Sequence, residues 1–228
     1  GTDTGGSIRQ PAAWCGITGL KPTYGLVSAR GVIPLSWSLD HVGPMARTAE
    51  DAALLLQAIA GFDPLDPASV ESPPEDYVEA LDRSTRRLRI GLPRDVYFDD
   101  LDPEIAAAVD AAINVLREIT AGTRDVTLPT VPNLSLLFVE AGAYLAPALA
   151  ASPEGFSPNI RALVETGARI SAASYAEARR QLALSRHAIR QVFDEVDVLV
   201  TPTTPDLPSL IDAGAAPAHD RALGDSRV

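Results

Sequence analysis

Residues 1–9 read Gly-Thr-Asp-Thr-Gly-Gly-Ser-Ile-Arg, and this is the stretch of the chain best equipped for chemistry. Glycine reaches backbone angles that other residues avoid, so the Gly5-Gly6 pair lets successive N–H groups turn into one concavity. Residues 8–15 read as a short helix with Pro11 in its first turn, which places Ser7 at the positive helix end. A serine Oγ beside a nest of N–H donors from Thr4, Gly5, Gly6 and Ser7 meets the needs of acyl transfer. The hydroxyl attacks, and the nest holds the oxyanion of the tetrahedral intermediate. The plainer alternative is a glycine-rich turn that opens a helix. A phosphate-binding version is disfavoured: no Gly-Lys-Ser/Thr follows, no Gly-x-Gly-x-x-Gly is present, and Asp3 would repel the ligand.

Other reactive side chains are dispersed. His41 would be the default base of a serine hydrolase, with loop packing as its plainer role. Asp40 suits a turn-ordering hydrogen bond before Gly43-Pro44, a catalytic carboxylate being the alternative. His187 falls among arginines on a helix and reads as a solvated or half-buried face. Cys15 reads as a small packed apolar residue. Three scattered histidines and one cysteine make no metal site. Trp14, Trp37, Phe138 and Tyr144 are candidates for core or pocket wall. Lys21 is the single lysine, and every other basic residue is arginine.

The elements that must position these residues alternate between helices and short apolar strands, which predicts an α/β layer architecture. Thr48 with Asp51 opens a helix that Gly61 stops. A proline-rich loop covers 62–74 and a short helix 75–81. Residues 88–92 form a strand closed by Pro93. Asp102-Pro103 caps a helix whose apolar face is Ile105, Val109, Ile113 and Leu116. A second strand is expected at 126–128, a buried helix at 133–151 and a short helix at 158–166 bounded by Gly167. Ser174-Tyr-Ala-Glu177 has the form of a capping box, opening a helix to about 195. A buried strand follows at 197–201.

Length and charge narrow the class. With 228 residues, 46% of them hydrophobic, the chain can bury a substantial core. A net charge of −11 disfavours a direct nucleic-acid partner. No apolar run reaches the roughly 18 residues of a membrane span. One cysteine excludes an internal disulfide and fits a reducing, cytoplasmic setting. A start at Gly-Thr-Asp and a small polar ending predict a piece of something longer: one partial domain over 1–212 and a frayed tail over 213–228.

The segment Gly1-Thr-Asp-Thr-Gly-Gly-Ser-Ile-Arg-Gln-Pro-Ala12 resembles the signature of the amidase signature family of serine hydrolases. The resemblance continues through Cys15-Gly-Ile-Thr-Gly-Leu-Lys-Pro-Thr-Tyr-Gly25, Ser38-Leu-Asp-His-Val-Gly-Pro-Met-Ala-Arg47 and Ala49-Glu-Asp-Ala-Ala, then more faintly at Asp197-Val-Leu-Val-Thr-Pro202. It implies a mixed β-sheet flanked by helices, truncated here at both ends. It implies Ser7 as nucleophile, the N–H groups of Thr4, Gly5, Gly6 and Ser7 as oxyanion hole, and Asp3 and Arg9 as supports of the loop. Thr2 falls beside the catalytic serines as a supporting hydroxyl. The family's base is a lysine acting through a second serine held by a cis peptide, both upstream of the signature, where this sequence has no counterpart. Lys21 lies in a segment the family carries in addition, expected at a loop or strand edge away from the serine. No histidine triad is implied, which leaves His41 its packing role.

The reaction so implied is hydrolysis of a carboxamide C–N bond through a serine acyl-enzyme, on a small-molecule amide, without metal or organic cofactor. Residues 138–145, with Phe138 and Tyr144, would line the acyl pocket, and a homodimer is compatible. The alternatives are a glutaminase-type A subunit of a tRNA-dependent amidotransferase and an inert fragment. Pro34-Leu-Ser-Trp-Ser38 resembles the hydrolases more than the transferase component. The chain by itself is expected to lack the proton relay.

Overall fold

The computed structural model describes residues 1–73, 75–129 and 135–210. The expected tail at 213–228 lies outside the described residues, as do Pro74 and the first two positions of the helix expected at 133–151. The order is β1 (Thr2–Asp3), α1 (Arg9–Trp14), β2 (Thr18–Gly19), β3 (His41–Val42), β4 (Met45–Ala46), α2 (Ala49–Ile59), β5 (Ile90–Leu92), α3 (Arg94–Tyr97), α4 (Pro103–Ile119), β6 (Thr123–Asp125), α5 (Ser135–Ala151), α6 (Pro158–Arg169), α7 (Ala172–Val192) and β7 (Val198–Leu199). The α/β class holds, and strand directions are mixed. Among the described residues, however, the strands fall into three short sheets. β1 pairs antiparallel with β3, with Asp3 opposite His41, and β2 pairs antiparallel with β4. β5 lies between β6 and β7, parallel to both.

Local chemistry accounts for several boundaries. The Thr48 side chain accepts from Asp51 N–H to open α2, and Asp102 does the same for Glu104 at α4, with proline following in the first turn. Down α4, Ile113 faces Ile90 and Leu92 in one core, with Val109 and Phe98 packed against it. A second core joins Leu137 and Ala141 of α5 to Leu163 and Val164 of α6.

Other expectations shift. The helix expected at 75–81 is a 3-10 turn over Glu79–Asp82. The second strand pairs at Thr123–Asp125, earlier than expected, because its register is set by β5; Val126 N–H still reaches Leu92 O at 3.1 Å. α6 runs past Gly167, since the glycine lies against the Phe138 carbonyl where a Cβ would have no room. α7 starts a turn early: Ser171 accepts from Ser174 N–H, so Ser174 sits inside the helix. The strand expected to be buried at 197–201 is reduced to β7, an edge strand with Val198 exposed. α5 is buried only over its first two turns, at Leu136, Leu137, Glu140, Ala141 and Gly142. Among the described residues, no helix is long and apolar enough to cross a membrane.

Candidate active site

The loop between β1 and α1 is organised by Asp3, whose side chain is fully buried. Its Oδ1 accepts from Gly6 N–H at 2.8 Å and from Arg9 Nη2 at 3.0 Å. Its Oδ2 accepts from Arg9 Nε at 2.9 Å, Ile8 N–H at 3.2 Å and Arg9 N–H at 3.4 Å. Burial pushes the Asp3 carboxyl up, but the Arg9 hydrogen bonds and charge, with the N–H bonds from Gly6 and Ile8, outweigh it and hold the carboxyl below its ordinary value. A buried ionised carboxylate therefore folds five donors around itself and bends the chain at Gly6, whose φ of 138° only glycine adopts easily.

That bend exposes Ser7. Among the described residues, neither its Oγ nor the N–H groups of Thr4, Gly5 and Ser7 find a protein partner, whereas the Gly6 N–H is already committed to Asp3. Thr2 is exposed on the strand before the bend, and its hydroxyl makes no hydrogen bond with the described residues. The hydroxyl that does brace the loop is Thr4 Oγ1, which donates to Asp40 Oδ1 at 2.5 Å. Asp40 orders its turn as expected: Oδ2 accepts from Leu35 N–H at 2.9 Å and Ser36 N–H at 3.0 Å.

His41 lies on β3 behind Asp3. It is half-buried between Leu39 O, 2.6 Å from Nδ1, and Lys21 Nζ, 3.2 Å from Nε2, with the Tyr24 ring set edge-on at 5.4 Å. Those contacts fit a neutral ring that donates from Nδ1 and accepts at Nε2, a tautomer assigned from the network. Burial first, then the Lys21 charge, pushes the His41 pKa down, and burial with the Arg9 charge does the same to Lys21. Lys21 is thus drawn in against the back of the loop, within the fields of Asp3 and Arg9. Lys21 lies in the loop directly after β2, the loop or strand edge expected for it, and the bond from Leu20 N–H to Pro44 O at 3.0 Å sets its approach to β3.

Of the aromatic candidates, Tyr144 and Trp37 line a concavity of about 680 Å³ together with Tyr24, Arg179 and Asp40. Phe138 is not among its walls; it packs against the core between α5 and α6. A second concavity, about 390 Å³, runs along Gly5, Gly6 and Gln10 to Tyr97 and Thr201. Cys15 is exposed at the end of α1 and not packed, since its backbone closes the helix on Pro11 O and leaves the side chain outside. The described residues hold no group of His, Cys, Asp and Glu able to bind a metal.

One buried carboxylate escapes sequence reasoning. Glu140 is fully buried and accepts from Ser36, Ser38 and Tyr175. The available signal was its isolation as the one charged residue in the apolar run of α5, since a lone acid in such a run must find donors.

Fold and loop together place the chain among α/β proteins that present a serine on a glycine turn braced by a buried carboxylate. The amidase family model matches residues 1–223. An amidase of Pseudomonas putida is 43% identical over 211 residues, which cover 90% of this chain and 45% of that protein. The A subunit of glutamyl-tRNA(Gln) amidotransferase from Roseiflexus sp. (strain RS-1) is 42% identical over 233 residues, covering 90% and 48%. A solved amidase structure superposes with a TM-score of 0.77 at 33% identity, covering 91% of this chain and 45% of that one. The chain belongs to the amidase family, and it spans less than half the length of these relatives.

Proposed function

We propose that Ser7 is the nucleophile of an amidase acting on a small carboxamide. Its Oγ attacks the carbonyl carbon while its proton passes to a base. The resulting oxyanion accepts from the N–H groups of Thr4, Gly5 and Ser7, and Gly6 contributes the bend. Collapse breaks the C–N bond, the amine leaves with a proton, and water hydrolyses the ester to restore the serine. The observation that carries this reading is the Asp3 clamp, which holds Gly6, Ile8 and Arg9 while Ser7 Oγ and three neighbouring N–H groups find no partner among the described residues. The resemblance implies a lysine acting through a second serine as the base, and residues 1–228 offer no counterpart. Residues 1–228 alone are therefore proposed to react slowly or not at all.

A fluorophosphonate probe tests this on the full-length protein and on residues 1–228. The full-length enzyme is expected to label, Ser7→Ala to abolish labelling, and the shorter chain to label weakly against a denatured control. Persistent labelling of Ser7→Ala rejects the assignment. The 42% identity to the A subunit of an amidotransferase favours a second reading, in which the same serine releases ammonia from glutamine for a partner protein. Glutamine-dependent ammonia release that rises when the other components of such a transferase are added would select it.

A further inference from the structure

The proposed reaction makes no use of Glu140, yet this carboxylate is fully buried. A carboxylate withdrawn from water persists only where hydrogen bonds replace its hydration. Oε2 accepts from Ser36 Oγ at 2.6 Å and Ser38 N–H at 3.0 Å, and Oε1 accepts from Ser38 Oγ at 2.6 Å and Tyr175 Oη at 2.9 Å. Arg179 of α7 donates to Ser38 Oγ at 2.7 Å and lies 3.8 Å from Oε1. Three of the four donors to Glu140 thus come from one turn. The same turn is closed on its other side by Asp40, which holds Leu35 and Ser36 N–H through Oδ2 and takes Thr4 Oγ1 at Oδ1. Helix α5 is therefore linked to Thr4 by hydrogen bonds none of which exceeds 3.0 Å.

We propose that Glu140 is a positioning residue for the nucleophile loop: it fixes the Ser36–Ser38 turn, the turn fixes Asp40, and Asp40 fixes the direction in which Thr4 presents its N–H. This rests on the reading of Ser7 as nucleophile and extends it to a side chain more than 130 positions away in sequence. A neutral amide in place of Glu140 would put an NH₂ group among four donors, so the turn must shift, and Asp40 must shift with it. A Glu140 that served stability alone would lower the melting temperature without altering how Thr4 contributes to acylation.

The test is a double-mutant cycle on the full-length protein, read as the maximal rate and the half-saturating concentration of fluorophosphonate labelling. Glu140→Gln and Thr4→Val are each expected to lower the maximal rate about tenfold or more, with half-saturation little changed, and the double variant to be no slower than the slower single. Thr4→Ser, which keeps the hydroxyl, is expected to restore most of the rate. Should Glu140→Gln fail to fold, Ser38→Ala removes one donor and enters the same cycle. Independent, multiplying losses overturn the proposal, as does a Glu140→Gln enzyme with an unchanged rate and a lowered melting temperature. In both cases labelling still depends on Ser7, whereas labelling that survives Ser7→Ala removes the underlying reading and the proposal with it.

Discussion

At the scale of single residues, Asp3 decides whether the loop exists. It is fully buried, and its partner Arg9 is 45% exposed, so solvent screens much of the ion pair. Most of the effect must come from the N–H groups that lose their acceptor when the carboxylate is removed. Asp3→Asn is expected to lower stability by about 1–3 kcal/mol, the range for leaving buried donors unsatisfied, and to cut fluorophosphonate labelling of the full-length protein by at least about 10², because the proposed oxyanion donors lose their frame. Arg9→Lys keeps the charge but loses the two-pronged contact, and its loss should be smaller on both measures. Since the folded pKa of Asp3 lies below 3.8, its stabilisation is fully present above that value and is lost as pH falls through the folded pKa. Chemical denaturation followed by circular dichroism between about pH 5 and pH 2 should show the wild type converging on Asp3→Asn. Parallel curves would contradict the clamp.

At the scale of elements, what could be read from the sequence depended on how far apart the deciding residues lie. The caps at Thr48 and Asp102 were legible because donor and acceptor are three residues or fewer apart. The start of α7 was not, because Ser171 and Ser174 offer the same hydroxyl one turn apart. Glu177, which completes the box on paper, instead takes the side chains of Gln181 at 2.6 Å and Arg180 at 3.1 Å. Ser171→Ala should therefore cost about 1 kcal/mol, a drop of roughly 2–4 °C in melting temperature for a chain of this size. Ser174→Ala should cost a few tenths, and the reverse order would restore the box. Gly167 has the same lesson in packing. Read locally it ends a helix, but in the fold it lets α6 approach the Phe138 carbonyl of α5. Gly167→Ala should destabilise by about 1–3 kcal/mol, as overpacking does, whereas Gly142→Ala, where the nearest atom would be 3.1 Å away, should be milder. The Asp3–Arg9 brace of the loop was legible because its two residues lie six positions apart. The Glu140 network was not, because its partners lie 35 to 104 positions away.

At the scale of the whole molecule, an acidic chain with a net charge of −11 would be expected to hold its one lysine against a carboxylate at the surface. Lys21 instead meets a histidine, with Asp3, Arg9, Arg186 and Tyr24 around the pair. Both groups are more easily discharged in the folded protein than in the unfolded one, because burial and mutual repulsion oppose a second positive charge. The unfolded chain then binds more protons at His41, and stability falls as pH drops through 6.5, the ordinary value, until the folded pKa is reached. Acidification also relieves the repulsion among excess carboxylates, but those groups titrate mainly near pH 4, so between about pH 7.5 and 5 the histidine term stands apart. His41→Gln keeps a polar side chain at the site and removes the titration. Its stability relative to wild type should therefore rise by a measurable fraction of a kcal/mol or more as pH falls across that window, a change followed by urea unfolding at each pH. Because β3 pairs His41 with Asp3, the same acid window should slow fluorophosphonate labelling in wild type more than in His41→Gln. If the two proteins keep a constant difference in stability from about pH 7.5 to 5, burial and the Lys21 charge do not hold His41 neutral, and the strand pairing behind the Ser7 loop carries no pH dependence.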